Sequence, residues 1–401
     1  MARHFDGFSD DEEFDFEIRS VIGHAASGAS DPGEVLAATS GLRRHDHEAW
    51  FGAWYGLAER TAATAKSCAA AGHRVSAAAA HLRASGYYAT GVNALSRLDR
   101  GDDLLPVFRA GRAEWDAFCD VSDHEVERLA IPYENTTLPG YLFRPAADGP
   151  TPLLVAVNGS DGSPTSMWSA CAWGGLRRGY AVLVFDGPGQ QSMLFEHQMP
   201  FRPDWEHVLT PVLDAVLVRD DVDAGRVAVH GISQGGYWVA RALAFEGRFA
   251  AAVVDPGVVD VATSWTEHLP KGLLRALDDG DTATFDRDLH LGLRLSPQTA
   301  RTWAFRARPY GTTGYADTML QVRRYDVTAL AGQITTPLLI TSPEGEQFWP
   351  GQSKQLASLT PAVSTLMEFT AAEGADGHCQ PLAPALTEQR VFDWLDERLD
   401  R

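Results

Sequence analysis

The stretch Arg226 to Tyr237, RVAVHGISQGGY, decides how the rest of the chain is read. Its first five residues form a valine-rich apolar run suited to a strand, and the WVARALAFEGRF that follows reads as a helix. Between them Gly231-Ile232-Ser233-Gln234-Gly235 fits the pattern G-x-S-x-G at a strand-to-helix junction. A serine on such a turn is held in a strained conformation. Small flanking residues let neighbouring backbone approach, so that its hydroxyl projects over the sheet edge. Ser233 is therefore the candidate nucleophile.

A nucleophilic serine needs a base, and the base needs an orienting acid; on this architecture they follow in the order serine, acid, histidine. His378 stands in the glycine-rich loop AAEGADGHCQPLA, after the apolar run STLMEF and before the helical VFDWLDERL. The segment PLLITSPEGEQFWPGQ offers two acids, Glu344 and Glu346. Such loops often place a proline four residues after the acid, and Pro350 favours Glu346 on that count. Asp255, directly after AAVV, is a third candidate. A developing oxyanion would need two backbone donors. The N–H of Gln234 follows the nucleophile, and that of Ser160 lies in the loop Asn158-Gly159-Ser160-Asp161 after LLVAV. Asp161 is a candidate substrate contact, whereas Asp186 in FDGPGQQ reads as holding its own turn.

The chain around these residues has two unlike parts. From about Asp46 to Arg112 it is rich in alanine, with Trp50, Trp54 and Leu57 at helical spacing, which predicts packed helices. Among their polar-tipped residues Tyr87, Tyr88 and Asn93 are candidate substrate contacts, and Tyr88 is the one selected. The acidic leader with Phe5, Phe8, Phe14 and Phe16 reads as a solvated arm or first helix without a role in the site. From Glu125 the pattern changes. VERLAIPYEN and LPGYLFRP look like an antiparallel pair, and then LLVAV, AVLVF, RVAVH, AAVV, PLLIT and STLMEF alternate with helices. That alternation predicts a mostly parallel sheet covered on both faces, with its working edge at the strand C-termini. Residues 258–328 break the rhythm and read as a helical insert forming a lid or pocket wall. The insert carries Trp265, Trp303, Phe305, Tyr310 and Tyr315, of which Trp303 is the selected substrate contact. The division expected is 1–123 helical and 124–401 catalytic.

Composition excludes several classes of function. With 401 residues, 45% of them hydrophobic, the chain has enough apolar material for a large core. Its formal charge of −19 argues against nucleic acid and anionic membranes, both of which select basic surfaces. The acidic N-terminus and the lack of a long apolar run predict a cytoplasmic protein. Four scattered cysteines, Cys68, Cys119, Cys171 and Cys379, show neither disulfide nor metal-ligand spacing, so no metal or cofactor is expected.

Taken together, DGPGQ at Asp186, PFRPDWEHVLTPVLD at Pro200, GISQGGY, EGEQFWPGQ and GADGHCQPLA resemble a group of α/β-hydrolases. The group contains 2,6-dihydropseudooxynicotine hydrolase and the fungal polyketide-shortening hydrolases of melanin-pigment pathways. The resemblance covers about Glu125 to the C-terminus and more loosely the helices before it. It implies an α/β-hydrolase fold with an N-terminal helical cap, often a homodimer, cleaving C–C bonds next to a carbonyl in a small-molecule substrate. Carried over by position, the triad is Ser233, Glu346 and His378. Two features depart from the group: Gln191 stands where a second glycine is usual, and the acid is a glutamate. An acyltransferase or cyclase working through the same acyl-enzyme, or a silent binding protein on the same fold, would carry the same residues.

Overall fold

The apolar runs picked out by pattern become one eight-stranded sheet. The computed structural model describes residues 7–267 and 269–400; Phe5 of the acidic leader lies outside them. Its strands are β1 (Glu125–Tyr133), β2 (Thr136–Arg144), β3 (Thr151–Val157), β4 (Ala181–Phe185), β5 (Val222–Ile232), β6 (Ala251–Asp255), β7 (Leu338–Pro343) and β8 (Ser364–Phe369). Their spatial order is β1-β2-β4-β3-β5-β6-β7-β8. β2 pairs antiparallel with both β1 and β4, and every later pair is parallel. This is the α/β-hydrolase architecture expected from sequence. Burial explains the pattern. β3, β4 and β6 are buried along their whole length, so they read as continuous apolar runs, whereas the edge strand β1 mixes exposed and buried positions.

The N-terminal part folds into α1 (Glu12–Gly23), α2 (Pro32–Thr39), α3 (His47–Ala70), α4 (Arg74–Ala94) and α5 (Gly101–Val121). Asp11 caps α1 by accepting from the Glu13 and Phe14 amides at 3.1 and 3.3 Å. The stripe Trp50, Trp54 and Leu57 of α3 is buried in a separate apolar core with Phe14, Tyr87 and Phe108, and Phe14 stacks on Trp50 at 4.1 Å. α4 packs against both α3 and α5. Its many alanines and glycines suit that central place, because small residues allow close approach on more than one side.

One buried ion pair ties these helices to the sheet. Arg112 of α5 donates to the Asp186 carboxylate at 2.5 Å and to the Tyr141 hydroxyl at 3.3 Å. The same carboxylate accepts from the Ser192 amide at 3.2 Å and hydroxyl at 2.5 Å. Asp186 thus does more than hold its own turn, since it also anchors α5 at the end of β4.

Residues 258–328 include the helices Thr282–Arg294 and Pro297–Ala307. An antiparallel bridge between Asp260 and Asp326 draws the two ends of this segment together beside β6. Among the described residues no helix is long and apolar enough to cross a membrane.

His230, inside β5, generates a prediction. It is 2% exposed, its Nδ1 lies 3.5 Å from Cys171 Sγ, and its Nε2 has no hydrogen-bond partner. Burial lowers its pKa from 6.5 to about 3, so the folded chain keeps it neutral in a range where the unfolded chain binds a proton. Stability is therefore expected to fall as pH drops below 6.5 towards 3. The slope from this residue is about 1.4 kcal/mol per pH unit. His230→Leu should flatten the urea midpoint against pH over that range, and an unchanged slope would refute the account.

Candidate active site

β5 ends at Ile232 and the next helix begins at Gly235, so the chain reverses within two residues. Ser233 takes up the reversal with φ of +55°, in the left-handed region that side chains disfavour. Its amide donates to the Asp255 carbonyl at the end of β6, at 2.6 Å. The glycines around it answer to packing. A Cβ on Gly231 would lie 2.3 Å from the Gly235 carbonyl oxygen, one on Gly235 2.8 Å from that of Val157, and one on Gly236 2.1 Å from that of Pro256. Only glycine lets the turn sink between the ends of the neighbouring strands.

At that edge His378 Nε2 lies 2.9 Å from Ser233 Oγ. Its Nδ1 lies 3.0 and 2.8 Å from the two carboxylate oxygens of Glu346. Glu346 Oε1 also accepts from the amides of Phe348 and Trp349, at 2.8 and 3.2 Å. Burial raises the carboxyl pKa, but the His378 hydrogen bond and charge and the two amides outweigh it and hold the group below its usual 4.5. The rings of Phe348 and Trp349 pack against the imidazole, with centroids 4.7 and 5.9 Å away.

The other two acids weighed from sequence face elsewhere. Glu344 accepts from the Ala371 amide at 2.9 Å, at the exposed side of the loop. Asp255 is 2% exposed; its carboxylate accepts from the Thr341 hydroxyl and, at 3.0 Å, from Gln380 Nε2. Burial raises its pKa.

The loop after β3 runs directly against the serine. A Cβ on Gly159 would stand 2.9 Å from Ser233 Cβ. The Gly159 amide is taken by Asn158 Oδ1 at 2.8 Å, whereas the amides of Ser160 and Gln234 have no acceptor among the described residues. Gln190, which sequence reading left without a role, clamps this loop: its Nε2 donates to the carbonyls of Asn158 and Gly159 at 2.8 and 2.9 Å. Its place in the DGPGQ motif was the available signal. Gln191, where a glycine is usual, keeps a glycine-like φ of +40° and ties the turn to the Gly162 carbonyl through Nε2, at 2.7 Å.

Ser233 and His378 open into a cavity of about 560 Å³ between the N-terminal helices, the sheet edge and the insert. Asp161, Asn93, Trp265, Phe305 and Tyr310 line it. Two selected contacts do not. Tyr88 is 4% exposed inside the helical core, and its hydroxyl donates to Glu59 at 3.0 Å. Its place on α4 turns it towards α3 and α5. Trp303 packs edge-on between Trp265 and Tyr315, at 5.2 and 5.7 Å, and so supports the wall from behind. Conversely, the acidic leader does have a place in the site, because α1 presents Phe16 and Glu17 to the cavity. Burial, then the charges of Asp161 and Glu13, raise the Glu17 pKa to about 8. Among the described residues no group of three His, Cys, Asp or Glu side chains is placed to hold a metal ion.

Comparison with known proteins accords with this architecture. A hydrolase designated LUC6 from a Fusarium species is 31% identical over 407 residues, covering 96% of both chains. The α/β hydrolase xenA of Xenoacremonium sinensis is 30% identical over 422 residues and 98% of both. Residues 169–285 match the prolyl oligopeptidase family. Among solved structures, 2,6-dihydroxy-pseudo-oxynicotine hydrolase superposes with a TM-score of 0.74 at 20% identity, over 94% of this chain and 95% of its own. AbyA5 does so with a TM-score of 0.61 at 18% identity, over 97% and 99%. The resemblance drawn from the motifs is thereby borne out.

The strain at Ser233 is measurable. A side chain held in the left-handed region costs on the order of 1 kcal/mol, which glycine does not bear. Ser233→Gly is expected to be more stable than Ser233→Ala by about 1 kcal/mol in urea unfolding, since both lack the hydroxyl. Equal midpoints would show that the turn stores no strain.

Proposed function

The chain belongs to the α/β-hydrolase family, and on that premise we propose that it is a serine hydrolase cleaving a C–C bond next to a carbonyl in an aromatic or polyketide-like small molecule. His378 takes the Ser233 proton and Ser233 Oγ attacks the carbonyl. Glu346 holds the imidazole in the required tautomer and stabilises the imidazolium that forms. The amides of Gln234 and Ser160 bind the oxyanion. Collapse breaks the C–C bond, the departing carbanion takes a proton from the imidazolium, and water then releases the acyl group from Ser233.

The observation that carries this reading is the unbroken relay from Ser233 through His378 to Glu346, at 2.9 and 2.8 Å, opening into a cavity of about 560 Å³. C–C cleavage requires that the departing carbanion's charge spread into a neighbouring carbonyl or ring, and the resemblance to the group containing 2,6-dihydropseudooxynicotine hydrolase favours it over simple ester hydrolysis. A roomy cavity with Trp265, Phe305 and Tyr310 in its walls suits such a substrate. The N-terminal helices act as the cap that excludes water from it.

Ser233→Ala and His378→Ala are each expected to lower kcat by about 10⁶, as much as losing the whole relay. Glu346→Gln should cost roughly 10⁴, and Glu344→Gln far less. Near-normal turnover in Ser233→Ala would overturn the mechanism, and a reversed order of the two glutamates would reassign the acid. Substrate class is tested by comparing kcat/KM on a β-diketone and an aryl ester of similar size. A preference for the ester by roughly 10³, about 4 kcal/mol in transition-state stabilisation, would move the protein to the esterases.

A further inference from the structure

One wall of the cavity carries a cation that forms no ion pair among the described residues. Arg306, in the last turn of the helix Pro297–Ala307, lines the same space as Ser233 and His378. Its guanidinium sits 4.4 Å from the centroid of the Trp265 ring and reaches the Ser264 hydroxyl at 3.4 Å. Arg308 lies 5.3 Å over the Phe195 ring. Neither forms an ion pair among the described residues, whereas Arg97, the cavity's third arginine, is paired with Glu13 at 2.5 Å. Other described arginines also form no ion pair, Arg43, Arg60 and Arg294 among them, but Arg306 and Arg308 are the ones of that kind that line the cavity.

Of the acids that share the cavity, Glu13 is taken by Arg97 and none forms an ion pair with Arg306. Burial and like charges keep Glu17 protonated at neutral pH, with a pKa of about 8. Burial raises Asp161 as well, although it feels Arg306 at a distance. For Arg306 itself, partial loss of water lowers the pKa more than Tyr310 and Asp161 raise it, although the side chain stays exposed on the open side of the cavity.

A further donor stands in the same wall. The Tyr310 ring stands edge-on to the Trp265 ring on which Arg306 lies, with centroids 5.6 Å apart, and lines the same cavity. Guanidinium and phenol thus share a wall that offers hydrogen bonds, in the cavity that Gln234, the residue after the nucleophile, also lines.

We propose that Arg306, with the Tyr310 hydroxyl, binds an acidic oxygen group of the substrate, either a carboxylate or the enolate released from a 1,3-dicarbonyl. The proposal rests on the serine-hydrolase reading above. In the first case the anion is present throughout and Arg306 selects the substrate. In the second, the bonding pair of the broken C–C bond moves onto the enolate oxygen beside Arg306, and the carbon then takes the proton from His378. The guanidinium fork suits either delocalised oxyanion.

The test uses two probes, an aryl 1,3-diketone bearing a side-chain carboxylate and its carboxamide analogue, with the wild type, Arg306→Gln and Arg306→Lys. A bound carboxylate predicts that Arg306→Gln raises KM for the carboxylate probe roughly 10- to 100-fold more than for the carboxamide. A released enolate predicts a fall in kcat of similar size on both probes with KM little changed. In either case Arg306→Lys should restore part of the loss. Kinetic constants within threefold of wild type on both probes, or equal KM losses on both, would overturn the proposal. Fluorophosphonate labelling of the wild type separates the two readings. If Ser233 does not label, the hydrolase reading fails, and Arg306 is then judged by calorimetric binding of benzoate against benzamide. Wild-type preference for benzoate, lost in Arg306→Gln, would support the site, and no preference would end it.

Discussion

Asp255 holds three segments of the chain at one buried point, and the geometry of the site depends on it. Its carbonyl accepts from the Ser233 amide at 2.6 Å and from Cys379 Sγ at 3.3 Å. Its carboxylate accepts from Thr341 on β7 and from Gln380, two residues past His378. The elbow, the neighbouring strand and the histidine loop are thereby fixed relative to one another. A hydroxyl and an imidazole meeting at 2.9 Å need such a frame, because a shift of about 1 Å costs about two orders of magnitude in rate in a positioned reaction. Hydrogen bonds in a dry interior are strong, and a partner left unmade there is expensive, so the arrangement is steeply specified.

The N-terminal helices complete what the sheet begins. Arg112 and Asp186 join them at the end of β4, only 13% and 4% exposed, where breaking the pair would strand a charge away from water. At the far end, Gly23 closes α1 onto the loop beyond His378 so tightly that a Cβ would stand 1.8 Å from the Pro381 carbonyl oxygen. Between these anchors Phe16 meets Phe348 at 6.1 Å, linking α1 to the segment that carries Glu346. In the same cavity, loss of water and the nearby acids raise the Glu17 pKa to about 8, while Arg306 stands in the wall without an ion pair.

How much of this was legible in the sequence depends on the range of the interactions. Six parallel-sheet strands were readable because burial on both faces imposes continuous apolar runs, and the helices because Trp50, Trp54 and Leu57 repeat at their period. Ser233 was readable because a sharp turn demands glycines at fixed offsets. Each of those constraints acts within a few residues of the chain. The choice among Glu344, Glu346 and Asp255 was not local: all three lie at strand ends, and only the folded loop turns Glu346 to His378 while Thr341 and Gln380 take up Asp255. Tyr88 and Trp303 were misjudged for the same reason, since an aromatic residue at helical spacing can face either a partner helix or a cavity, and packing decides which. Glu17 and Arg306 carried no signal, since the fold decides both what surrounds Glu17, Asp161 included, and that Arg306 faces the cavity. Local stereochemistry thus determined the sheet and the elbow, while the pairing of charges across the cavity was decided by tertiary structure, because electrostatic environment is a property of space and not of sequence neighbours.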